Sequence, residues 1–166
     1  MMKKSKKYFI ALDTDSYKLN EDVVPVNLNW SATMDEWTKI GENLNKKIKE
    51  CDVIIGYSVG AAIALLTVKT GDMYLYSPSP IFKEVKHLLT DKMKKELGNK
   101  VYHLPSVKNI KVKVKAKCYL GEKEDEIMYK TFEEIKKIGE IEGFIIKGAN
   151  HNNIINHSGV ILSDKD

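Results

Sequence analysis

The sequence predicts an α/β fold: one domain over 1–166, with a mostly parallel, doubly wound sheet of about six strands and helices between them. Three observations lead there. Short apolar runs rich in β-branched residues alternate with longer segments whose apolar residues recur at helical spacing. Turn signals such as Asp13-Thr14-Asp15-Ser16 and Ser77-Pro78-Ser79-Pro80 fall where one pattern gives way to the next. The stretch 52–68, DVIIGYSVGAAIALLTV, joins an apolar strand to a small-residue helix through a single tight turn.

The elements follow in order. Residues 7–12, KYFIAL, read as a first strand, stopped by the polar cluster at 13–16. Residues 23–28 read as a second strand, and Pro25 places it at or near a sheet edge because it cannot donate to a ladder. Ser31 or Thr33 can cap the next helix, with Glu36 completing a capping box after Thr33. From 34 to 49, Trp37, Ile40, Leu44 and Ile48 recur at helical spacing. The strand and helix of 52–68 come next, then a strand over 73–76.

Residues 82–97 read as one amphipathic, lysine-rich helix ended by Gly98, and 99–109 as irregular. Over 110–120 Val112, Val114, Ala116 and Cys118 alternate with Lys111, Lys113, Lys115 and Lys117. That pattern suits a strand with one solvated face; the sharper alternative is a strip for an anionic ligand. A turn at 121–126, a helix over 127–138, a buried last strand over 144–147 and the loop Gly148-Ala149-Asn150-His151 complete the chain.

Composition narrows the function classes. The chain of 166 residues is 43% hydrophobic and 30% charged, ordinary for a soluble globular protein, and no apolar run reaches the length of a membrane span. Neither a signal peptide nor a membrane partner is expected, and a cytoplasmic location is. Cys51 and Cys118 fit a reduced compartment and sit in no metal or redox spacing. All 27 basic residues are Lys, so the formal charge of +4 comes without the bidentate donors that nucleic-acid readers use, and no nucleic-acid partner is expected.

The chemistry concentrates at Gly56-Tyr57-Ser58-Val59-Gly60, a G-x-S-x-G sequence between strand and helix. Alone, the pentapeptide recurs by chance in about one chain in twenty of this length. Its setting gives it meaning. A strand that reverses sharply into a helix strains its middle residue, and flanking glycines remove the Cβ atoms that would clash. The serine then stands at a helix N-terminus, where backbone N–H groups face a developing oxyanion. A serine needs a base, and the base needs an orienting carboxylate. Of the four histidines, His87 lies in the lysine-rich helix, His103 in the irregular stretch and His157 in the polar tail. His151 follows a strand and a small-residue loop. Ser58, Glu124 and His151 each fall just after the carboxyl end of an expected strand, where ligands bind in such sheets.

Three stretches resemble the α/β-hydrolase family: the elbow GYSVG, the strand–turn KCYLGEKEDEIM at 117–128 and the strand–loop GFIIKGANH at 143–151. Their order, serine, acid, histidine, is the family's order. The resemblance implies a minimal version of the fold without the first two strands and first helix. It also implies a small serine hydrolase, carboxylesterase- or thioesterase-like, that acts on a small-molecule acyl substrate without metal or cofactor. Ser58 would be the nucleophile, His151 the base and Glu124 the acid, three residues after Gly121 and three before Ile127; Asp125 is the alternative acid. The oxyanion hole would use the N–H of Val59 and Thr14. The family's His-Gly motif after its strand is replaced here by Leu12-Asp13-Thr14, which leaves a catalytically silent binding module as the rival reading. The region 81–109 sits where the family inserts a cap, and Phe82, Val85, Leu88, Leu89 and Met93 would line an acyl pocket beneath it. The same region could equally be a sheet-covering helix with a long return.

Overall fold

The computed structural model describes residues 5–112 and 115–161. Its sheet has six strands: β1 (Lys7–Leu12), β2 (Val23–Leu28), β3 (Val53–Tyr57), β4 (Asp72–Tyr76), β5 (Ala116–Gly121) and β6 (Ile141–Ile146). They lie in the order β2-β1-β3-β4-β5-β6, and every neighbouring pair is parallel. The chain winds from β1 out to β2, crosses back over β1 to β3 and continues to the far edge. This is the two-way winding that the alternation of patterns predicts. Pro25 lies on β2, an edge strand, where its missing donor costs nothing.

Among the described residues the α-helices are α1 (Met34–Lys47), α2 (Val59–Thr67), α3 (Asp91–Leu97) and α4 (Glu126–Lys136). Thr33 caps α1 with the expected box: its side chain accepts from Glu36 N–H, and Glu36 Oε1 accepts from Thr33 N–H. Strand periodicity sorts the core into two layers. Tyr8, Ile10, Ile54, Met73, Leu75 and Cys118 join one cluster with the apolar faces of all four helices, Trp37 and Ile135 among them. Phe9, Ala11, Ile55, Tyr57 and Tyr76 point the other way. Among the described residues their cluster holds no α-helical one and is closed by Ile154, Ile155 and Val160 of the C-terminal segment. Asn20 pins that segment, its amide groups donating to the carbonyls of Val160 and Gly159.

The expected helix over 82–97 is two pieces, a 3-10 turn at Lys83–Leu88 and α3. Thr90 separates them, because its hydroxyl caps the amide of Met93 and starts a new helix. Residues 99–109 hold the 3-10 turns Gly98–His103 and Val107–Asn109, which Glu84 ties down by accepting from Ser106 Oγ and Val107 N–H. The strand expected over 110–120 begins only at Ala116; Ile110, Lys111 and Val112 are irregular, and Lys113 and Val114 lie outside the described residues. Within β5, Ala116 and Cys118 are buried and Lys117 exposed, so the alternation holds there. The last strand starts at Ile141 rather than 144, and it is an edge strand with Phe144 and Ile145 exposed, not a buried one.

Candidate active site

Among the described residues three non-glycine residues have positive φ: Asp13, Ser58 and Ser77, at the carboxyl ends of β1, β3 and β4. Backbone strain of this kind collects at functional sites. Ser58 takes φ 55° and ψ −116° between β3 and α2. Gly60 makes that turn possible. A Cβ on it would stand 1.9 Å from the Ile10 carbonyl oxygen, so only glycine lets α2 approach β1 so closely. The elbow is pinned from β4: Ser58 N–H donates to the Tyr76 carbonyl, and the Ser58 carbonyl accepts from Ser79 N–H.

The structure brings Ser58, His151 and Glu124 into one hydrogen-bonded line. Ser58 Oγ is 3.1 Å from His151 Nε2, and His151 Nδ1 is 2.8 Å from Glu124 Oε1. The Glu124 side chain is fully buried, while the imidazole is 39% exposed. A buried carboxylate needs donors on both oxygens. Oε2 receives the Ser77 hydroxyl at 2.5 Å and the Gly121 N–H at 2.6 Å, which leaves Oε1 for the imidazole. This geometry fixes the tautomer with its proton on Nδ1 and turns the Nε2 lone pair toward the serine hydroxyl.

The acid and histidine loops also hold each other. Lys123 N–H donates to the Ala149 carbonyl, and Gly148 N–H donates to Glu122 Oε1. Tyr57, next to the serine in sequence, points to the opposite face of β3 and donates its hydroxyl to the His151 carbonyl. Burial, helped by Tyr17 and Glu124, pushes the Tyr57 phenol well up from its ordinary range, so it remains a donor under all ordinary conditions. One strand therefore carries the serine on its end and tethers the histidine loop from its other face.

The other expected site residues fall as follows. Asp125 is not on the histidine; it sits at the N-cap of α4 and lines the cavity. Val59 opens α2, where the first N–H groups have no acceptor within the helix. The structure does not bring Thr14 to the site. It is buried beside β2, its N–H 2.9 Å and its hydroxyl 3.3 Å from Asn27 Oδ1, and it does not line the cavity; Leu12 does. His151 is the one histidine lining that cavity.

Sequence reasoning missed Ser77 and Tyr57. Their only signals were a serine directly after an apolar strand and a tyrosine inside the pentapeptide. The cavity over Ser58 has a volume of about 570 Å³. Leu89 and Met93 line it as expected, together with Ile81, Leu97 and Met128. Phe82 and Val85 do not; they are core residues, and Leu88 packs against that core.

Neither a protein-family model nor a curated protein matches the sequence. Solved structures do match in shape. One is MGS-MChE2, an α/β-hydrolase enzyme from the metagenome of lagoon sediments of Mar Chica, Morocco. It shares 12% identity at a TM-score of 0.56, over 94% of this chain and 86% of that one. A second, named as a thioesterase candidate of Silicibacter sp. TM1040, shares 12% identity at a TM-score of 0.62, over 97% of this chain and 75% of that one. A third, from a study of carboxylesterases of the thaumarchaeon Nitrososphaera gargenis, shares 12% identity at a TM-score of 0.56, over 92% and 85%. The chain has the α/β-hydrolase fold. At this identity the likeness is one of fold, and fold alone does not fix function.

Proposed function

We propose that the protein is a serine hydrolase that cleaves a small acyl ester or thioester through an acyl-enzyme. The observation that carries this reading is the line Glu124 Oε1–His151 Nδ1, His151 Nε2–Ser58 Oγ, at 2.8 and 3.1 Å, in a cavity that Ile81, Leu89, Met93, Leu97 and Met128 also line. Ser58 Oγ attacks the acyl carbon as His151 Nε2 takes its proton. The proton passes to the leaving oxygen or sulfur as its bond to the acyl carbon breaks. Water then repeats the sequence, giving its proton to His151 and releasing the acid from Ser58. Glu124 orients the imidazole and stabilises its charged form. The N–H of Val59 supplies one oxyanion donor, and the segment 81–109 acts as a small cap through Ile81, Leu89, Met93 and Leu97.

One observation favours the rival reading, a binding module without turnover. The Thr14 amide, the expected second oxyanion donor, is taken by Asn27. Loss of one such donor costs about 10²–10³ in rate, so slow hydrolysis is expected. A fluorophosphonate probe separates the readings because it reports the activated serine without needing turnover. The folded protein is expected to label at Ser58, and Ser58→Ala to abolish the label. A wild-type chain that stays unlabelled beside a reactive control hydrolase gives the site to the binding module.

A further inference from the structure

Two cavities adjoin at the carboxyl side of the sheet, with a tryptophan between them. The first, about 570 Å³, contains Ser58 and His151. The second, about 600 Å³, lies between the start of α1 and the turn Gly98–His103. Trp30, Glu96 and Leu97 line both. Glu96 is exposed at the lip, so Trp30 and Leu97 form the wall itself. Leu97 is 6% exposed and belongs to the main core, whereas Trp30 stands on the loop after β2 and is 38% exposed. Cutting back Leu97 would open the core; cutting back Trp30 would join the two cavities.

The indole is held in that position. It packs against Trp37, the ring centroids 5.8 Å apart and the planes tilted by 43°. Lys100 Nζ donates to the Trp30 carbonyl at 2.8 Å and lies 5.0 Å from the centroid of each indole. An ammonium over the face of a tryptophan is attracted by the ring quadrupole. A single lysine thus fixes both the backbone and the ring of the dividing residue.

We propose that Trp30 sets the chain-length limit for the acyl group on Ser58 by walling the first cavity off from the second, whose lining of Ser31, Thr33, Asp35 and Asn99 is exposed and polar. The inference rests on the serine-hydrolase reading above and narrows its substrates to acyl esters or thioesters whose chain fits within the first cavity. A growing chain gains by burying each methylene against Leu89, Met93 and Met128 until it meets a ring that cannot yield without breaking the Lys100 contacts. Beyond that length it must leave its end in water.

The test uses the whole chain and n-alkylphosphonofluoridates of stepped length, from ethyl to tetradecyl, whose alkyl group takes the place of the acyl chain at Ser58. Wild-type labelling should slow once the chain outgrows the first cavity. In Trp30→Ala the ratio of long- to short-chain labelling rates should rise about tenfold or more, the scale on which a pocket discriminates by one or a few methylenes. Lys100→Met should shift it the same way by less. Trp30→Leu carries the test if the alanine variant fails to fold. An unchanged ratio in a folded variant overturns the proposal, as do wild-type rates that climb to the longest chain. Failure of the wild-type to label with any length is a different result: it removes the hydrolase reading, and this proposal with it.

Discussion

Glu124 and Asp125 are adjacent carboxylates with different work. Glu124 is buried on three donors, and Asp125 begins a helix. Glu124→Gln should therefore lower turnover of a short p-nitrophenyl ester far more than Asp125→Asn; the reverse ranking would move the acid. Ser77→Ala should act through Glu124, since it strips one of two donors from Oε2 and lets the carboxylate turn. The expected loss is about 10–100-fold, by analogy with supporting hydrogen bonds at other sites, seen in kcat with KM little changed and partly restored by Ser77→Thr. A loss confined to KM would deny Ser77 this positioning role. The sequence made Glu124 legible through its distance from Gly121 and Ile127, and His151 through its loop. Thr14 was misread because a residue's place after a strand does not reveal a side chain such as Asn27, 13 positions on, that will claim its amide.

At the scale of elements, the approach of α2 to β1 is decided by one missing methyl group. With a Cβ 1.9 Å from the Ile10 carbonyl oxygen, Gly60→Ala has to push the helix off the sheet. Overpacking of this kind typically costs about 1–3 kcal/mol, and the elbow moves with the helix. Urea unfolding should show the lost stability, and fluorophosphonate labelling should fall further than stability does. A variant with wild-type labelling would mean that the elbow tolerates the shift. Strands with clean alternation or apolar runs were legible in the sequence, and so was α1 with its capping box. The break at Thr90 was not, because a lysine-rich amphipathic pattern looks the same through a 3-10 turn, a cap and a short helix. The start of β6 was lost for a related reason: Glu142 and Gly143 interrupt its apolar run.

At the scale of the whole molecule, the helices share one face of the sheet, and the opposite face is closed by a short 3-10 turn and the residues that lead into and out of it. From β2 onward the strands wind in one direction, which puts those crossovers and their helices on one side. The reverse step from β1 to β2 carries only the 3-10 turn Thr14–Ser16, so alternation alone could announce the sheet without announcing what covers its second face. That covering segment carries His151, while Ser58 stands at the start of α2, a helix of the other layer. Regions with little regular structure open at lower free energy than core strands. On warming, ester hydrolysis should accordingly fall away, and recover on cooling, below the temperature at which far-UV circular dichroism reports melting; coincident curves would refute this. The endurance of the site and the endurance of the fold are then two separate quantities, set by opposite sides of one sheet, and strengthening the helical layer would raise the second without extending the first.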